Sequence, residues 1–141
     1  MSFEAERATI EGLFQTQWAA SAYASTTVIY DNISTKRPST DYLYHQIISG
    51  DGMQKEIVGT GAALHRYFGI VQVDILVPIG TGTTTARRMA DVVSTIYRRR
   101  QLTDGAGGKI TFRTPSVRVV GVVGERYRVI VSCPFQRDII H

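Results

Sequence analysis

Arg66-Tyr67-Phe68-Gly69-Ile70-Val71-Gln72-Val73-Asp74-Ile75-Leu76-Val77-Pro78 is the run on which the fold turns. Successive side chains of an extended strand point to opposite faces, so Tyr67, Val71, Val73, Ile75 and Val77 share one side and Gln72 and Asp74 the other. That alternation predicts the longest strand of the chain, with one face buried and one face wet or turned to a partner. Gly69 within it marks a bend or bulge.

A strand-to-helix junction follows. Ala86, Met89, Ala90, Val93, Ile96 and Tyr97 recur at i, i+3, i+4 and i+7, which predicts an amphipathic helix of about four turns. Arg87, Arg88, Asp91, Ser94 and Arg98 occupy its polar side. Before the long strand, Phe3, Ile10, Leu13, Phe14 and Trp18 predict a first helix, capped by Ser2, with Glu4 and Glu6 at the positive end of its dipole and an end near Ala20. Short strands are predicted over residues 28–30, 42–49 and 55–59, with Gly50-Asp51-Gly52 as a turn. After the second helix, residues 102–108 predict a mobile glycine-rich loop. Strands follow over residues 109–113, 117–123 and 126–135, the last two joined by a type II′ turn at Gly124-Glu125. The order α-β-β-β-β-α-β-β-β, without repeats or linkers, predicts one α+β domain over residues 1–141, a largely antiparallel or mixed sheet packed with two main helices.

At 141 residues, 43% hydrophobic and 20% charged, the composition suits an ordinary packed core and excludes wholesale disorder. One cysteine excludes an internal disulfide framework and a multi-cysteine metal site. Cys133 alternates with apolar residues and reads as a buried, inert thiol. The formal charge is +4, and lysine appears only at Lys36, Lys55 and Lys109, so the cationic surface is arginine. Arginine forms planar, bidentate pairs suited to protein interfaces and to phosphate. The run Arg98-Arg99-Arg100 falls where a helix end favours cations. The opening Met1-Ser2-Phe3-Glu4-Ala5-Glu6 lacks the basic, then apolar, pattern of a secretory signal. Residues 12–30 are uncharged but too polar to span a bilayer, which predicts a cytosolic or particle-bound protein.

Chemistry-bearing motifs are sparse. Gly80-Thr81-Gly82-Thr83-Thr84-Thr85 lies where a phosphate loop would sit, but Thr85 replaces the third glycine and no lysine follows, so a threonine-capped turn explains it. His45, His65 and His141 lack metal-ligand spacing. A trio of His45, Asp51 and Ser49 is allowed by spacing, without forming a recognised constellation. The reading is non-enzymatic, with no catalytic, cofactor-binding or metal residue assigned.

Glu4-Ala5-Glu6-Arg7 with Trp18, Tyr30-Asp31-Asn32, the run from Val73 to Gly82, Ala90-Asp91, Ile96-Tyr97, Thr114-Pro115-Ser116-Val117-Arg118 and Cys133-Pro134-Phe135-Gln136-Arg137-Asp138 follow one another along the chain. Taken in that order, they resemble the tail terminator, or tail-completion, proteins of long-tailed bacteriophages. The resemblance implies a homo-hexameric ring on the head-proximal end of the tail tube in the virion, assembled in the host cytoplasm. Such a ring stops tube polymerisation, meets the major tail tube protein and the head-completion or connector protein, and lets genomic DNA pass without sequence-specific binding or membrane contact. Six bodies with a radius of gyration of about 14 Å would leave a hole of roughly 35–40 Å. On this reading the interface candidates are Asp74, Arg87, Arg88, Arg98, Arg99, Arg100, Arg137 and Asp138. A head-completion or neck connector protein, and a small phosphate-binding enzyme using residues 80–85, are the alternatives.

Overall fold

The alternating run at the centre of the sequence becomes the centre of the sheet. A computed structural model describes residues 3–31, 37–57, 62–80 and 82–140. Helix α1 (Phe3–Ala19) is followed by strands β1 (Thr27–Tyr30), β2 (Tyr42–Ile57) and β3 (Ala63–Pro78), then helix α2 (Thr84–Tyr97). Strands β4 (Gln101–Thr103), β5 (Lys109–Phe112), β6 (Ser116–Val123) and β7 (Arg126–Ile140) complete the order. They form one seven-stranded mixed sheet in the order β1-β2-β3-β7-β5-β4, with β6 also pairing β7. β1 runs parallel to β2, and every other pair is antiparallel. β5 and β6 share the same side of β7: Phe112 stands opposite Phe135, whereas Ser116 stands opposite Ser132.

Register explains why the alternation of β3 buries so well. Leu43, Ile75 and Val129 form one cross-strand row, and His45, Val73 and Val131 the next. All six are fully buried beneath the helices. α2 turns Ala86, Met89, Ala90, Val93, Ile96 and Tyr97 inward, as its periodicity predicts, and buries Ser94 too, which the sequence reading placed on the polar side. Standing four residues after Ala90 and three before Tyr97, Ser94 falls on the inward arc. Met89, Val93 and Ile96 each contribute about 1.5–3 kcal/mol through burial. An aromatic row links both helices to the sheet: Phe14 and Tyr97 stack at 6.0 Å, Tyr97 meets Phe112 at 4.8 Å, and Phe112 meets Phe135 at 5.5 Å. Among the described residues no helix lies over the opposite sheet face, and Ile48 and Ile70, register partners there, are exposed.

Local details differ from the sequence reading. Gly50-Asp51-Gly52 is no turn: β2 continues through it, with register shifts between Ser49 and Gly52 and between Gln54 and Glu56. Two glycines in a strand can mark a bulge as readily as a reversal, and here the long β3 supplies a partner throughout. Positions 58 and 59 of the strand read at 55–59 lie outside the described residues, as does Ser2. Gly69 lies opposite Phe135, and a Cβ there would come within 2.5 Å of its ring. Phe3 is exposed, and Glu6 takes a buried place on α1 instead. β7 extends to Ile140, beyond the predicted end at 135, because β3 and β5 flank its second half. Gly124 has φ of 61° in the two-residue β6–β7 turn, as a II′ geometry requires.

Candidate functional surface

The predicted interface residues fall into three environments. Arg87, Arg88, Arg98 and Arg99 are exposed along and just beyond α2. Arg98 and Arg99 form the bend that ends this helix, where the Arg98 N–H donates to the Ser94 carbonyl at 2.8 Å and Arg99 has φ of 54°. Arg100 is half-buried, its Nε donating to the Ile96 carbonyl at 3.1 Å. The sequence places the three arginines side by side; the bend sends them to different work.

Asp74 and Asp138 belong to the sheet face without helices, and both are paired within the chain. Arg128 Nη2 donates to Asp74 Oδ2 at 2.5 Å, and Gln72 Nε2 donates to Oδ1 at 3.1 Å. Arg66 grips Asp138 with both Nε and Nη2, at 2.7 and 3.0 Å. Asp74 is almost fully buried, so the carboxylate that the sequence reading offered to a partner is closed within the chain.

Arg137 is wholly buried, which places its charge inside the subunit. Its Nε donates to Asp104 Oδ2 at 2.5 Å. Asp104 Oδ1 accepts the N–H groups of Ala106 and Gly108, each at 2.9 Å. Burial acts to raise the Asp104 pKa, but Arg137 and the two N–H groups together hold it below its ordinary value. A Cβ on Gly108 would lie 2.6 Å from Arg137 Nε, so glycine permits the arginine to enter. Where the sequence predicts a mobile loop, β4 and β5 form a hairpin tied to β7 through this pair. Glu6 is buried on α1; desolvation raises its pKa, with the Arg137 charge working against the shift.

The chemical alternatives find little support in geometry. His45 is sealed in the core with Nε2 2.8 Å from the Tyr97 hydroxyl and its ring beside Phe14 and Tyr30. Burial pushes it down to about 4, so it is neutral at physiological pH. Burial likewise pushes the Cys133 thiol up to about 12. Gly80 and Gly82 have φ of 86° and 80°, which accounts for both glycines as turn formers. Thr81, between them, lies outside the described residues. Thr83 is the N-cap of α2, but its side chain makes no capping bond.

Sequence reasoning missed the exposed apolar border. Val117, Val119, Val122 and Val123 on β6 are 48%, 42%, 63% and 46% exposed. The available signal was valine at neighbouring positions, Val119-Val120 and Val122-Val123, with no alternation between wet and dry. On the open face, Ile48, Phe68, Ile70 and Pro134 line a shallow groove beside Arg113, whose guanidinium lies 5.5 Å from the Phe68 ring centre.

These observations define a single α+β domain: a helix-backed mixed sheet with apolar borders, intrachain ion pairs and a sealed core. The model of the phage tail terminator protein family matches residues 7–135, and the chain belongs to that family. Family membership assigns a structural role associated with phage tails and virions. One solved structure shares the fold with a TM-score of 0.76 and 19% identity, over 97% of this chain and 96% of the other. A chain from the virion of a native gene transfer agent particle shares it with a TM-score of 0.58 and 15% identity, over 98% of this chain and all of the other. No curated protein sequence matches.

Proposed function

We propose that this protein is a tail terminator that works as a hexameric ring at the head-proximal end of the tail tube. The ring stops tube polymerisation, offers its other surface to the head-completion or connector protein, and leaves a passage for DNA. It does this by contact, without catalysis. The observation that carries the reading is the family match across residues 7–135. The likeness to a protein from a gene transfer agent virion supports it, since that protein is part of an assembled particle.

The exposed cations Arg87, Arg88, Arg98 and Arg99 are the contact residues this reading retains on the ring surface. Arg100, Asp74 and Asp138 are half-buried or paired, and stabilise the subunit that presents them. Arg137 serves from within, holding β4 and β5 to the sheet. Deletion of the gene tests the role. Tails that overgrow and remain unjoined to heads are the predicted result; tails of normal length joined to filled heads contradict it.

A further inference from the structure

Two borders of the sheet carry strand edges without a partner strand among the described residues. One is the outer side of β6, which pairs β7 alone. The other is the outer side of β2 beyond His45, where the pairing with β1 stops. Edges of this kind are usually blunted by lysine, proline or inward-pointing charge, because unpaired N–H and C=O groups recruit other strands. β6 carries four exposed valines and a single charge, Arg118. On β2, Ile48 and Met53 are exposed, Ser49, Gly50 and Gly52 leave little side-chain bulk at the border, and Asp51 is the single charge between residues 46 and 53.

We propose that these borders are the two halves of one seam: β6 of one copy adds to the outer edge of β2, at residues 46–53, of the next copy. This rests on the ring reading and specifies how it closes. Three features favour a second copy as the occupant.

The first is direction. Along β2-β3-β7-β6 each strand is antiparallel to its neighbour, so β6 runs opposite to β2. A neighbour related by rotation about a ring axis therefore presents β2 to β6 as an antiparallel partner, and the alternation continues across the junction. The second is offset. β6 is centred at the level of Ile75 on β3, by way of Val119 and Val129, whereas residues 46–53 of β2 centre near Gly69. That separation is ~20 Å along the strands, against ~19 Å across four strands. Continuing the sheet then tilts its strands by about 45°, which lies at the upper end of the 35–45° typical of closed sheets. The bulges in β2 supply the bend that closure needs.

The third is surface chemistry. The β6 edge carries four exposed valines and the β2 edge carries exposed Ile48 and Met53, so joining the two covers apolar side chains of both copies. Because the two edges differ, the contact is heterologous: it makes a ring when the rotation closes.

The test uses two surface variants of the full chain, V119K/V122K on β6 and S49K on β2, with light scattering and native mass spectrometry across protein concentration. A cooperative thermal transition and a wild-type near-ultraviolet circular dichroism spectrum establish that each is folded, the melting temperature itself being expected to fall where association is lost. Wild type is expected to form the higher oligomer, and each variant alone to be monomeric. Their equimolar mixture is expected to form a dimer and nothing larger, because each copy keeps one good edge. A dimer of S49K alone signifies a symmetric β6–β6 contact and overturns the proposal, as does undiminished oligomerisation of either variant. Hydrogen exchange on wild type gives a check free of substitutions: residues 116–123 and 46–53 should gain protection together as concentration rises. Protection confined to other segments overturns the seam, leaving the tail-length phenotype to decide the terminator role separately. A wild-type chain that stays monomeric throughout likewise overturns the seam.

Discussion

Single residues set the acid response of this subunit. His45 loses its charge on folding because the core excludes water, and its pKa falls to about 4. The unfolded chain, with a histidine pKa near 6.5, therefore binds more protons between these values, and stability drops as pH falls from about 6.5 to 4, by about 3 kcal/mol. A His45→Gln variant should lose most of that slope in urea midpoints measured at pH 7 and 4.5. Asp104 acts in the same direction: its depressed pKa gives stability that is complete above the ordinary carboxylate value and disappears as pH falls through the folded one. Glu6 acts oppositely, since its raised pKa makes the charged form a burden at neutral pH. Glu6→Gln should raise the melting temperature at pH 7.5 and leave it unchanged at pH 4. Asp104→Ala strands the buried Arg137 charge and should cost about 3–5 kcal/mol in denaturant unfolding.

At the scale of elements, Gly69 and Ile75 show how β3 is held. Gly69→Ala drives a methyl into the Phe135 ring and should destabilise by about 1–3 kcal/mol. Ile75→Ala opens a cavity beneath the helices and should cost about 2–5 kcal/mol; calorimetry or urea titration measures both. β3 and α2 were legible because each has one buried face and one clear period. β2 was not, since Gly50 and Gly52 give the same local signal in a bulge as in a hairpin turn. The parallel pairing of β1 with β2 is a tertiary choice with no local mark in four residues. Arg137 and Asp138 illustrate the limit at the site: adjacent in sequence, they point to opposite faces of β7, one into the core and one to the open face. Charge alone suggested a surface for both. Exposure on both sides of β6 was equally hidden, because apolar strand residues ordinarily signal burial.

The whole molecule places its helices on one sheet face and its unpartnered strand edges at the borders, an arrangement that lets copies join sideways without disturbing the core. The seam proposed between β6 and β2 makes subunit assembly a continuation of the sheet, whereas Arg87, Arg88, Arg98 and Arg99 lie off the sheet and are free to meet other components. Replacing Arg87 and Arg88 together by alanine should therefore leave the unfolding free energy within about 0.5 kcal/mol of wild type, while lowering the fraction of tails joined to heads in an in vitro joining assay. The most direct test of the central claim is a cryo-electron microscopy reconstruction of the virion neck. The account predicts six copies of this chain in a closed ring at the head-proximal end of the tail tube; a neck with the chain absent from that position, or present there as anything other than a ring, contradicts it.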